Sequence, residues 1–342
     1  MKLKAIFALI LFGLMSSAQS AIVLRYTDHE PLGNMRTKTI KNVFFQAIAE
    51  ESQGRLRIED HWNGELAVSY DALKTIADGQ KADMGIVVPE YTAEQLPLHQ
   101  IFKSFPLGPD SGSKQVQFFH NVFSRMPQFS QELADNNLLN LQFFLGYPAA
   151  FFSTVPNLNY GNLQNTTWRT ASFWHQAFLE NAGASVVKMP WNTQITEALR
   201  DGRLNGLLVN LDSGDDIQAW QAAKEVRVSQ RLWLGHVYLL VINKQRWESL
   251  AKEDQQAIHR AAKRTEKMLG ITLDSSLKEM MSRMNQHGAH ARIMTPGELE
   301  SGQNISQYQA VQADWVASQK VRGSSNTEDI LNAVRDQLKS VE

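Results

Sequence analysis

The chain has 342 residues, with 34 Lys and Arg set against 35 Asp and Glu for a net charge of −1, and no cysteine. Balanced charge of this kind excludes the basic footprint that nucleic-acid or anionic-membrane binding needs. The missing thiols exclude disulfide staples, cysteine nucleophiles and thiolate metal sites, so a small solute is the expected partner and a hydrophobic core must hold the fold.

In chain order, Lys2 and Lys4, the apolar run Ala5 to Met15 and the small residues Ser16 to Ala21 read as a signal peptide over residues 1–20, too short to span a bilayer. Ile22 to Tyr26 reads as a strand, Pro31 to Gly33 as a turn, and the spacing of Ile40, Val43, Phe44, Ala47 and Ile48 as a helix that stops at Gly54. Leu56 and Ile58 alternate with charges as a strand. Ser69 is placed to cap a helix carrying Leu73 and Ile76 that ends at Gly79, and Met84 to Val88 is a fully apolar strand.

The same order returns later in the chain. Thr166 to Arg169 reads as a strand, Ser172 caps a helix with Phe173, Phe178 and Leu179, and Gly183 ends it. Val186 and Val187 form a strand, Thr193 starts a helix through Leu199 that Gly202 closes, and Leu207 to Val209 is another apolar strand. His236 to Asn243 is a further strand, a long polar-faced helix runs from Trp247 to about Met284, and the last sixty or so residues read as a peripheral helix or two with a loose tail. Repeated strand–helix–strand units predict an α/β protein of two lobes with parallel-rich sheets. Ligands of parallel sheets bind beyond the carboxyl ends of the strands, so two facing lobes share one cleft.

Several stretches, taken together and in order, resemble one family. Gly54-Arg-Leu-Arg-Ile58 with Asn63-Gly-Glu-Leu66, Gly79 with Asp83-Met84, Trp168-Arg169-Thr170, Gly183-Ala184, Met189-Pro190, Ala198-Leu199, Gly202 through Gly206 and the segment Leu250 to Ile258 are similar to the solute-binding proteins of tripartite ATP-independent periplasmic (TRAP) transporters, of the dicarboxylate-binding type. The resemblance implies a bilobal periplasmic-binding-protein fold with hinge strands and a long spanning helix. It also implies a small organic acid as ligand, membrane permease subunits as partners, no cofactor and a periplasmic location. The expected division is residues 21–145 with 235–270 as the first lobe and 146–234 with 271–342 as the second, in a chain that works as a monomer.

Arg169 is the position at which the family pairs an arginine with the ligand carboxylate. A guanidinium at a strand's carboxyl end has its own physical case, since it grips a carboxylate bidentately. Trp168 precedes it. His29 and Glu30 follow the first strand and fit recognition of a second polar group, although a turn with a solvated Glu30 and a capping Asp28 explains them equally. Tyr91 lies beyond the strand Met84 to Val88, and Trp174 and Trp191 are candidates for a pocket floor. Where the family carries an asparagine on the ligand carboxylate this chain has Val209, which leaves Asn210 or Asp212 to take that place. Ala149 stands near the second arginine of sialic-acid binders, so that ligand is disfavoured.

No HExxH, GxSxG, Walker or GxGxxG pattern occurs, and His287 and His290 flank a polar loop, so neither a catalytic nor a metal site is expected. A ligand sensor for a membrane receptor and an exported enzyme are the competing readings. Export predicts that periplasmic material has an intact mass short of about twenty residues. A full-length mass would refute the signal-peptide reading.

Overall fold

The computed structural model describes residues 21–187, 189, 194–228, 231 and 236–341. The expected helix start at Thr193 and the candidate Trp191 lie outside the described residues. Eleven strands are described: β1 Ile22–Thr27, β2 Leu56–His61, β3 Met84–Val87, β4 Leu138–Leu145, β5 Ala149–Ser153, β6 Thr167–Arg169, β7 Ser185–Val187, β8 Gly206–Asn210, β9 Glu225–Val228, β10 Val237–Asn243 and β11 His290–Ile293. They form two sheets, ordered β2-β1-β3-β10-β4 and β11-β9-β5-β8-β6-β7.

Each expected strand–helix unit builds the parallel part of one sheet. β1 lies parallel to β2, from Ile22 opposite Leu56 to Thr27 opposite His61, and parallel to β3. In the second sheet β6 lies parallel to β7 and β8. Mixed topology comes from segments with no repeat signal. β10 inserts antiparallel between β3 and β4, and β5 runs antiparallel between β8 and β9. All seven residues of β10 are buried, as a strand covered on both faces requires, which is why its sequence is an unbroken apolar run.

The chain crosses between the sheets three times: from β4 to β5, from β9 to β10, and along the 35-residue helix Lys252–Gln286, which packs on β4 and on β11. This helix is preceded by a separate short one, Lys244–Ser249, with extended backbone at Leu250 and Ala251 between them, so the single helix expected from Trp247 is corrected to two. The first helical stretch runs from Met35 to Glu51 and widens to a π-helix over Ile40–Phe45, which the 3.6-residue spacing did not show. Asp71, not Ser69, occupies the N-cap position of helix Ala72–Asp78, while Gly79 ends it in the left-handed conformation at φ 72°.

The C-terminal region, expected as a peripheral helix or two with a loose tail, forms three helices, Pro296–Ser306, Tyr308–Val321 and Thr327–Lys339. Thr295 and Glu298 form a reciprocal capping box on the first of them. Ile330, Leu331, Val334 and Leu338 give the last a buried face, laid on helix Gly112–Arg125 beside the first sheet. Polar outer faces dominate the composition of this region and hide that stripe. Among the described residues no helix is long and apolar enough to cross a membrane.

Helix Gly112–Arg125 meets the spanning helix backbone to backbone. A Cβ on Gly270 would stand 2.5 Å from the Ser113 nitrogen, and one on Gly112 would stand 2.4 Å from the Gly270 oxygen. Gly270→Ala is therefore predicted to destabilise the protein by about 1 to 3 kcal/mol through overpacking, although alanine is the better helix former by about 1 kcal/mol. Urea denaturation measures it, and a midpoint at or above that of the parent would remove the close-contact argument.

Candidate functional site

The parallel strands β1 and β3 of one sheet and β6 and β8 of the other all point their carboxyl ends at the same gap, and the residues that follow each strand enclose a cavity of about 420 Å³. That volume lies within the range of about 300 to 1,000 Å³ usual for small-molecule sites. β1 delivers His29 and Glu30, β3 delivers Glu90 and Tyr91, β6 ends in Arg169, and β8 ends in Asn210 before the short helix Leu211–Asp216. His236 and Tyr238 enter from the β9 to β10 crossing and β10, Lys103 from the 3₁₀ segment Leu98–Ser104, and His175 from helix Phe173–Asn181.

The first-lobe wall is organised by Arg36, which is 2% exposed. Its Nη1 and Nη2 donate to the two Asp28 oxygens at 2.7 and 3.0 Å, Nη2 also donates to Glu30 at 2.7 Å, and the guanidinium stacks 4.2 Å from the centre of the Tyr238 ring. Tyr26 donates to Asp28 at 2.6 Å, Asn34 to Glu30 at 2.7 Å and Tyr238 to Glu30 at 3.3 Å. Burial by itself would raise the Glu30 pKa, but Arg36 holds this carboxyl below its ordinary range. One guanidinium thus serves two carboxylates, and the network keeps a net negative charge toward the cavity.

Beside it, Glu90 receives Lys103 in an ion pair and His236 Nδ1 at 3.0 Å. Burial opposes ionisation of Glu90, yet Lys103 and then His236 keep its pKa well below the usual value. Burial, and next the Lys103 charge, lower the pKa of both His236 and His175, so both rings are neutral at pH 7. His236 Nε2, His175 Nε2 and Asn210 Nδ2 are buried on the cavity lining without a hydrogen-bond partner among the described residues. Gly146 makes part of this possible: a Cβ there would lie 1.9 Å from the His236 ring and 2.9 Å from Asn210 Nδ2.

On the second-lobe wall Arg169 is 5% exposed, and its Nε and Nη2 donate to the Met189 carbonyl at 3.3 and 3.0 Å, which sets the plane of the guanidinium. Burial lowers its pKa from the ordinary value, as expected for a cation in a poorly solvated cleft. Tyr91 faces the same space, its ring 5.9 Å from His29 and 4.8 Å from Tyr70.

Of the residues singled out from sequence, Arg169, His29, Glu30, Tyr91 and Asn210 line the cavity. Trp168 and Trp174 do not. Trp168 points into the second-sheet core, its indole nitrogen donating to Thr166 at 2.8 Å and its ring edge-on to Phe151. Trp174 donates to the Gln100 carbonyl at 2.9 Å and rests on Trp315, so it ties the second-sheet helix to the first lobe. Asp212 lies buried behind the lining, where Ser213 and Asp216 take its expected place. Glu90, Lys103, His175, His236, Tyr238 and Asp216 had no sequence signal, because segments far apart in the chain bring them together.

The chain matches the family model for bacterial extracellular solute-binding proteins, family 7, over residues 29–313. A curated solute-binding protein of Chromohalobacter salexigens is 23% identical over 235 residues, 64% of this chain and 64% of that protein, so the match spans less than two thirds of the relative's length. Among solved structures, a TRAP periplasmic solute-binding protein of Desulfovibrio salexigens with bound orotic acid superposes with a TM-score of 0.79 at 13% identity, over 94% of this chain and 99% of that one. Another from the same organism, in an open complex, gives a TM-score of 0.78 at 18% identity, over 94% and 97%. A Bordetella pertussis extracytoplasmic solute receptor binding pyroglutamic acid gives 0.74 at 18% identity, over 92% and 100%.

Removing Arg36 would strand Asp28 and Glu30 without their counter-charge. Arg36→Met is predicted to cost about 3 to 5 kcal/mol of stability, and Arg36→Lys to recover only part, because an ammonium cannot repeat the two-carboxylate fork. Chemical denaturation checks both, and a loss below about 1 kcal/mol for Arg36→Met would show that the network does not organise this wall.

Proposed function

Because the chain belongs to the bacterial extracellular solute-binding proteins of family 7, we propose that it captures a small organic carboxylate between its two lobes and passes it unchanged to the membrane permease subunits of a TRAP transporter. The work is done in the periplasm, after loss of residues 1–20, by a monomer. The lobes are residues 21–145 with 235–270 and residues 146–234 with 271–342, the last helix Thr327–Lys339 lying back on the first lobe.

The observation that carries this reading is Arg169 at the carboxyl end of β6, held in plane by the Met189 carbonyl and facing a 420 Å³ cavity. A carboxylate placed there gains a charge-assisted pair in a cleft where water is scarce, and the buried amide of Asn210 and the rings of His175 and His236 offer neutral hydrogen-bonding groups around it. Orotic acid and pyroglutamic acid, bound by structural neighbours, each carry such a carboxylate, which supports the same ligand class here. The tight pairing of Glu90 with Lys103 and His236 is that of a rigid wall. It does not present a nucleophile or a general base, and binding is proposed to proceed without turnover.

Arg169→Ala is predicted to cost about 2 to 5 kcal/mol of binding free energy, a loss of about thirtyfold to several thousandfold in affinity. Arg169→Lys should recover only part, since it keeps the charge and loses the planar fork. Calorimetry with the solute that co-purifies, or with the best binder among orotate, pyroglutamate and D-galacturonate, decides it. If Arg169→Ala binds within about threefold of the parent, the arginine is structural and the site assignment fails.

A further inference from the structure

The cleft places carboxyl side chains from both lobes on its lining. Glu30 of the first-lobe wall and Asp216 of the helix Leu211–Asp216 in the second lobe both line the cavity with Arg169, and Asp212 of that helix is buried outside the lining. The carboxyls sense each other. Burial and then Glu30 push Asp212 up to about 8, and burial followed by Glu30 and Asp215 push Asp216 up to about 6. Asp216 is exposed and lines the cavity, so solvent reaches it. Arg36 does not neutralise the group, because it is shared between Asp28 and Glu30. Arg283 is engaged by Asp215 on the outside of the same helix.

Building on the carboxylate reading above, we propose that the solute is a zwitterion, whose carboxylate meets Arg169 and whose cationic nitrogen sits between Glu30 and Asp216. Two lobes that approach with carboxyls on both faces repel each other unless a positive charge lies between them. A bound ammonium removes that repulsion and bridges the walls, so the cation favours the arrangement in which both lobes touch the ligand. The buried, unpartnered Asn210 Nδ2 and His236 Nε2 line the same cavity, which marks it as a place where a ligand completes the hydrogen bonding. An organic cation fits better than a metal ion, since among the described residues no three His, Asp or Glu side chains are disposed to hold a metal.

The test uses the full mature protein and matched solutes that differ in the cation: L-proline with pyroglutamate, L-glutamate with 2-hydroxyglutarate, and L-phenylalanine with phenyllactate, screened by thermal shift and calorimetry. Native mass spectrometry identifies any solute that co-purifies. The expected result is that the amino acid outranks its counterpart in the pair that binds, or that the co-purified solute carries both a carboxylate and a basic nitrogen. Asp216→Asn, at a solvent-reached position that leaves folding intact, should lower the ratio of zwitterion to counterpart affinity by about tenfold or more. EDTA should change nothing. If no zwitterion is among the solutes that bind or co-purify, or if Asp216→Asn leaves the ratio unchanged, the inference is overturned. It is also overturned, in favour of a metal ion, if binding of the plain acid requires a cation that EDTA removes. Plain acids that bind and are lost in Arg169→Ala would sink this inference and leave the carboxylate reading standing, whereas ligands indifferent to Arg169→Ala would sink both.

Discussion

A single buried guanidinium holds the first wall of the cleft together. Taking an ion the size of Arg36 out of water costs several kcal/mol even after relaxation, and the site offsets this with Asp28, Glu30 and the face of Tyr238. The arrangement joins the loop after β1, the start of helix Met35–Thr39 and strand β10. β10 follows most of the second sheet in the chain, so this wall joins segments as far apart as Glu30 and Tyr238. The site therefore reports on global folding more than on any local motif.

Relative movement of the two sheets is confined by what crosses between them. The β4 to β5 crossing passes Gly146, where the backbone is pressed against His236 and Asn210, and the spanning helix is locked to helix Gly112–Arg125 through two glycines. Trp174 adds a hydrogen bond from the second-lobe helix to the Gln100 carbonyl of the first. Each of these contacts lies beside or behind the cavity.

Charge within the cleft is divided unevenly. Lys103 pairs with Glu90, and Arg36 with Asp28 and Glu30, while Arg169 stands on the second-lobe wall and the carboxyls of Glu30 and Asp216 line the same cavity. In a medium of low effective dielectric such an arrangement of charge selects ligands by the order of their own charges. Histidines kept neutral by burial add hydrogen-bonding capacity without disturbing that order.

The two strand–helix–strand units, the lobed α/β class and the position of Arg169 were legible in the sequence, because periodicity, caps and strand ends are local properties of the chain. Gly79 shows the limit on the favourable side: a glycine after a helical pattern needs only its own φ to end the helix. Trp168 and Trp174 show the other limit, since an indole beside a binding strand looks the same in sequence whether it faces ligand or core. The antiparallel insertion of β10, the buried stripe of helix Thr327–Lys339 and the meeting of Glu90, Lys103, His175 and His236 were decided only by tertiary structure. Such groups lie as much as 146 residues apart, as His236 and Glu90 do. Their chemistry exists only once desolvation and packing have put them in one cavity.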